Sequence, residues 1–181
     1  MGTRVPAATA LESRFMAFDG ASSTGALETL ADYTCVALIE PELGEPDAAG
    51  IISELSQALQ REGTVSDLLP FYHAALNREL LTDSSVEAEL AFPHARMSGV
   101  KQLRFAFGRA PAPVTWGARS SWGVRFVFLL AVPVTDAAGY LQLLASLARL
   151  GQHPDLLLEL RAAADAGAIL DVLDRIKVRP A

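Results

Sequence analysis

The chain has three histidines, and one of them stands where an imidazole could be aimed. In "ELAFPHAR" (89–96) His94 directly follows Pro93, and Arg96 lies two residues on. A proline fixes its own φ and pushes the residue before it, here Phe92, towards an extended backbone. A side chain leaving the end of a strand on so stiff a backbone suits a reactive group. A neutral imidazole nitrogen is a nucleophile near pH 7, because histidine's ordinary pKa is about 6.5. Arg96 adds a permanent cation whose planar fork pairs with anions. The same residues also describe an ordinary turn histidine, and on residue types alone both readings stand.

The other two histidines carry less. His73 falls within a helical pattern, where an isolated histidine is usually packing or surface. His153 precedes Pro154 at a helix start, the setting of an exposed loop residue. No second histidine sits at metal-ligand spacing from His94. The single cysteine, Cys35, excludes an intramolecular disulfide and any cysteine-based metal site. Neither a G-x-S-x-G elbow nor a phosphate-binding G-x-x-x-x-G-K loop occurs, so those two chemistries drop out.

The elements that must position His94 follow from periodicity. "TCVALI" (34–39) is apolar and β-branched and predicts a first strand. From Asp47 the residues Ile51, Ile52, Leu55 and Leu59 recur at helical spacing, and Gly63 marks the stop. Ser66 reads as the N-cap of a second helix through Tyr72, Leu76 and Leu80, with Pro70 in its first turn. "ELAF" (89–92) predicts a short strand ending at Pro93, and "LRFAFGR" (103–109) alternates as a strand does. "APAPVTWG" reads as a turn-rich connector. "VRFVFLLAV" (124–132) becomes continuously apolar, as a central strand covered on both faces would. A helix over 136–150 stops at Gly151, and two shorter ones follow at about 154–164 and 166–177. The interleaving predicts an α/β domain, a mixed sheet with helices on both faces. Residues 1–26, rich in Ala, Ser, Thr and Gly, read as a mobile leader in which "RFMAF" (14–18) could dock; the domain is expected over 27–181.

Bulk composition narrows the function classes. At 181 residues with 51% hydrophobic and 20% charged residues, the chain has the make-up of one globular domain. A net charge of −6 argues against nucleic acid or anionic lipid as a partner. The longest apolar run, Val124 to Val134, contains Arg125 and is too short to span a membrane. With no apolar signal-like region at the N-terminus, a cytoplasmic location is the expectation.

Several of these features, taken together, resemble the type-2 EIIA domains of the bacterial phosphotransferase system, which include fructose and mannitol EIIA units and the nitrogen-regulatory EIIA proteins. "ELAFPHAR" matches the second half of the family's G-I-A-I-P-H-[AG]-[RTK] signature. Arg78, in "LNREL", lies where the family carries the arginine of an R-E pair ahead of the histidine. "FGRAPAPVTW", "VRFVFLLAVP" and "YLQLLASLARL" fit the later segments. The resemblance implies that His94 accepts a phosphoryl group from an HPr-like carrier. It then passes the group to an EIIB partner, or keeps it as a regulatory mark. It further implies that Arg78 stabilises the phosphate and that neither metal nor organic cofactor is needed. Arg96 joins the candidate binding residues by its nearness in sequence.

Two departures fall at the site. Tyr140 stands where transfer-competent members carry a second histidine at a helix start, and a hydroxyl can donate a hydrogen bond but cannot become cationic. In the loop before His94, Ser84 and Ser85 keep a hydroxyl pair as binding candidates, but Glu87 and Glu89 replace glycines. Glycines there would permit positive φ and close approach to an anion, whereas two carboxylates would oppose its charge. The alternatives are therefore an active phosphocarrier, a regulatory or protein-binding module in which transfer is impaired, and an anion binder using His94, Arg78 and Arg96.

Overall fold

In the computed structural model, which describes residues 28–117 and 122–178, helices form where apolar period and end signals agree. Helix α1 (Ala48–Arg61) begins at Asp47, whose carboxylate accepts the Gly50 N–H at 2.9 Å. Beyond its end Gly63 takes φ +69°, a left-handed value that glycine adopts at little cost. Its buried stripe is Ile51, Ile52, Leu55 and Leu59. Helix α2 (Leu68–Leu81) has Asp67 as N-cap; the expected cap, Ser66, instead donates its hydroxyl to the Gly99 carbonyl. Helix α3 (Ala137–Leu150) is capped by Asp136, which accepts the Gly139 N–H at 2.9 Å, and ends at Gly151. Helices α4 (Pro154–Ala162) and α5 (Ala166–Leu173) follow among the described residues. Arg109 donates to the Leu160 and Ala163 carbonyls, which the end of α4 leaves without helical partners. The leader read at 1–26 lies outside the described residues.

Among the described residues the sheet is mixed and six-stranded. Its strands are β1 (Ile39–Glu40), β2 (Ser85–Val86), β3 (Leu90–Ala91), β4 (His94–Met97), β5 (Arg104–Thr115) and β6 (Gly123–Pro133). β6 lies at its centre, antiparallel to β5 on one side and parallel to β3 and β4 on the other. β1 extends the sheet parallel to β5, and β2 pairs antiparallel with β3.

Alternation along β5 and β6 sorts the two faces by size. Phe105, Phe107, Phe126, Phe128 and Leu130 point to the layer holding Leu143, Leu147, Ile169 and Leu173 of α3 and α5. Ala106, Val127, Leu129 and Ala131 point the other way, to Ile51, Leu55 and Phe71 of α1 and α2. Each fully buried phenylalanine contributes about 1.5–3 kcal/mol. Covering both faces explains why β6 reads as an unbroken apolar run, and the α/β expectation holds.

Three local expectations change. "TCVALI" is not a full strand: 3-10 turns at Leu30–Tyr33 and Val36–Leu38 carry the chain, and only Ile39–Glu40 pairs with β5. Leu30, Thr34 and Leu38 are buried at intervals of four, a helical-type spacing that outweighs the β-branched composition. "APAPVTWG" is not a connector, because β5 runs through it to Thr115. A register shift between Arg109 and Val114 releases Pro111 and Pro113 from donating to β6. Finally, the chain does not leave the sheet at Pro93. His94 opens a strand of its own.

Candidate functional site

Pro93 stands between β3 and β4, both paired with β6, and its carbonyl accepts the Leu130 N–H at 2.9 Å. A residue without an N–H fits a break between two strands. His94 follows, half-buried and in register with Leu130. Its Nδ1 is 3.1 Å from the Phe92 carbonyl oxygen, and its Nε2 is 3.2 Å from the Tyr140 hydroxyl. A carbonyl only accepts, so the neutral ring carries its proton on Nδ1 and its lone pair on Nε2. The Tyr140 hydroxyl is then the donor to Nε2. The two rings are tilted by 41° with centroids 5.3 Å apart. Burial lifts the Tyr140 phenol above its ordinary value, and the Arg78 cation draws it partly back. The hydroxyl therefore keeps its proton through the neutral range, and Arg78 lies within electrostatic reach of it.

Arg78 projects from the last turn of α2, exposed, with a long 3.5 Å contact from its guanidinium to the Thr82 carbonyl. The adjacent Glu79 is buried and anchors that turn. Its Oε1 accepts the Ser84 N–H and the Trp116 indole N–H, both at 2.7 Å. Ser84 in turn accepts the Phe92 N–H on its hydroxyl at 3.1 Å. A residue-to-residue relay thus runs from Trp116 through Glu79, Ser84 and Phe92 to Nδ1 of His94, the Phe92 N–H and carbonyl belonging to successive peptide groups.

The loop joining β2 to β3 is strained and pinned. Ala88 and Glu89 hold φ of 72° and 63°, left-handed values that cost a residue with a Cβ about 1–2 kcal/mol each. The Glu89 carbonyl accepts the Arg125 and Phe126 N–H groups at 2.8 and 3.0 Å. Its carboxylate Oε2 takes Arg125 Nε at 3.0 Å and Arg161 at 2.7 Å. Arg125 also donates to the Ala110 and Pro111 carbonyls. Positive φ at Glu89 is what a glycine at that position provides, here imposed by side-chain and backbone bonds instead.

The family follows from comparison. Residues 36–176 match the family described as "Phosphoenolpyruvate-dependent sugar phosphotransferase system, EIIA 2". The chain belongs to the type-2 EIIA family. A nitrogen regulatory protein of Bradyrhizobium diazoefficiens is 32% identical over 142 residues, 75% of this chain and 92% of that protein. Among solved structures, the nitrogen regulatory protein IIA-Ntr of Neisseria meningitidis superposes with a TM-score of 0.67 at 24% identity, covering 80% of this chain and 98% of that one. Enzyme IIA mannitol from Escherichia coli, solved in complex with phosphorylated enzyme IIB mannitol, gives 0.67 at 19% identity over 77% of this chain and 96% of that one. These two structures share the fold.

Within this EIIA fold the residues singled out from sequence divide in two. His94 and Tyr140 meet in a hydrogen bond, and Arg78 lies within electrostatic reach of the Tyr140 hydroxyl. Arg96 extends from the same strand but donates to the Val134 carbonyl, latching β4 to the end of β6. Ser84 serves the backbone of Phe92, and the Ser85 hydroxyl is buried without a hydrogen-bond partner among the described residues. Neither serine hydroxyl is bonded to the imidazole. The repulsion expected from Glu89 is offset by its two arginines, while Glu87 is exposed. His73 and His153 are exposed, apart from the site. Sequence reasoning missed Glu79, Trp116, Arg125 and Arg161. Glu79 had a signal, as the second member of the "RE" pair; the others had none. Among the described residues, no group of three or more His, Cys, Asp or Glu could hold a metal ion, and no helix is long and apolar enough to cross a membrane.

Proposed function

We propose that the chain is a phosphocarrier that takes a phosphoryl group on Nε2 of His94 from an HPr-like protein. It delivers the group to an EIIB-type partner or holds it as a regulatory mark. The observation that carries this reading is the 3.1 Å contact of His94 Nδ1 with the Phe92 carbonyl oxygen: a carbonyl only accepts, so in the neutral ring Nδ1 holds the proton and Nε2 the lone pair. As Nε2 bonds to phosphorus, the donor's nitrogen–phosphorus bond breaks and the donor imidazole keeps that electron pair. No proton need move at His94. Phosphoryl transfer proceeds through a loose, charge-rich transition state, so alignment and positive charge do most of the catalysis. Arg78 supplies the charge in this reading. The complex known for the mannitol relative supports an EIIB-type recipient, the Bradyrhizobium relative supports a regulatory role, and the carrier reading implies a cytoplasmic chain.

The second reading, a regulatory module with impaired transfer, is favoured by Tyr140, whose neutral hydroxyl replaces a group able to become cationic. Incubation with phosphoenolpyruvate, enzyme I and HPr, followed by intact mass, separates the two. The carrier reading expects a gain of one phosphoryl group that His94→Ala abolishes. No gain, with HPr itself shown to be phosphorylated, supports the impaired module.

A further inference from the structure

The Tyr140 hydroxyl sits on the one nitrogen that must react. We propose that Tyr140 is a gate on His94, capping the Nε2 lone pair in the unmodified protein and moving its hydrogen bond to a phosphoryl oxygen once Nε2 is occupied. This rests on the reading of His94 as the phosphoryl acceptor and adds a regulation of that same nitrogen.

The geometry leaves the cap few alternatives. Nδ1 is committed to the Phe92 carbonyl, so the imidazole offers Tyr140 only an acceptor, and the tyrosine must donate. A phosphorus bonded to Nε2 lies well inside the 3.2 Å now spanned by the hydrogen bond. The hydroxyl must therefore withdraw before attack, and that bond is lost on the way to the transition state. Tyr140 is held where it can do this. Its N–H donates to the Asp136 carbonyl in the first turn of α3, and Asp136 also caps that turn through Gly139. A methyl group added at Gly139 would meet the Asp136 carboxylate oxygens at 2.6 Å, so the turn is close-packed just before the tyrosine. The hydroxyl donates both before and after transfer. Removing it should therefore speed uptake and return alike and leave the equilibrium nearly unmoved. The expected acceleration is roughly 2- to 10-fold, the scale of one neutral hydrogen bond.

Two arms test the gate on the full chain with Tyr140→Phe, which keeps the ring and removes only the hydroxyl. The first uses diethylpyrocarbonate, whose acyl carbon is attacked by an unprotonated imidazole nitrogen while ethyl carbonate leaves; peptide mapping reads each histidine separately. His94 should react 2- to 10-fold faster in Tyr140→Phe, while exposed His73 and His153 keep their rates as internal controls. An unchanged or slower His94 overturns the gate, and this arm needs no phosphoryl donor. The second arm measures phosphoryl exchange with phosphorylated HPr in both directions. Forward and reverse rates rising together, with the extent changed by less than about twofold, supports the hydroxyl donating in both states. A shifted extent with only one rate altered contradicts it. If neither protein takes up phosphoryl while the diethylpyrocarbonate arm still shows acceleration, the cap on Nε2 stands and the carrier reading fails.

Discussion

The loop that leads to His94 and the imidazole itself are held in opposite ways. Residues 79 to 92 are over-determined: Glu79 grips Ser84 and Trp116, Glu89 is bound by Arg125 and Arg161, and two residues are kept at positive φ. The end proposed to react is lightly held, with one neutral hydrogen bond on Nε2 and a long contact on Arg78. The contrast teaches where rigidity is spent. Strong bonds fix the backbone that aims the ring, and the groups proposed to exchange partners keep weak ones.

The largest effect should come from the rigid side. Glu79→Ala strands the Ser84 N–H and the buried Trp116 indole N–H, and should cost about 2–5 kcal/mol of folding stability in urea unfolding. A cost below 1 kcal/mol would mean that the relay does not hold the loop. Arg78→Gln removes charge from the lightly held side and should slow phosphoryl uptake by roughly ten- to a hundredfold with little change in stability. A large drop in unfolding midpoint with unchanged uptake would reverse the division drawn here.

Glu89→Gln keeps the shape of the side chain but discharges a carboxylate facing two guanidiniums. It should cost about 1–2 kcal/mol and reduce backbone amide protection at Leu90 and Phe92. Native-state hydrogen exchange reads this directly, and unaltered protection would show that the backbone alone imposes the positive φ. The smallest effect belongs to exposed Glu87. In a water-like dielectric its charge opposes each unit of phosphoryl charge by about 0.5 kcal/mol across about 8 Å. With about 1.5–2 such units on a phosphoryl group, Glu87→Gln should thus raise equilibrium phosphorylation by only about three- to sixfold. A rise of tenfold or more would bring Glu87 back to the site.

What could be read beforehand follows the same division between local and distant causes. α1 and α3 were legible because Asp47 with Gly63, and Asp136 with Gly151, announce their ends within the helix's own sequence. β6 was legible because burial on both faces leaves an unbroken apolar run. The first strand was misread, since β-branched residues at 34–39 serve 3-10 turns whose buried side recurs every four positions. At the site, His94 stood out through Pro93, and the resemblance led to Arg78 and Tyr140. The pairing of Glu89 with Arg125 and Arg161 spans 36 and 72 residues, and nothing local marks it. Ser84 and Ser85 look alike in sequence, yet only one hydroxyl meets the Phe92 N–H, because adjacent residues face different ways.

The most direct test is nitrogen–phosphorus correlation NMR on the protein after treatment with phosphorylated HPr, using uniformly nitrogen-15-labelled chain. The expected spectrum shows the phosphoryl group coupled to Nε2 of His94, with Nδ1 protonated. Coupling to Nδ1, or no phosphohistidine at His94 while HPr carries its phosphoryl group, would contradict the assignment of His94 Nε2 as acceptor.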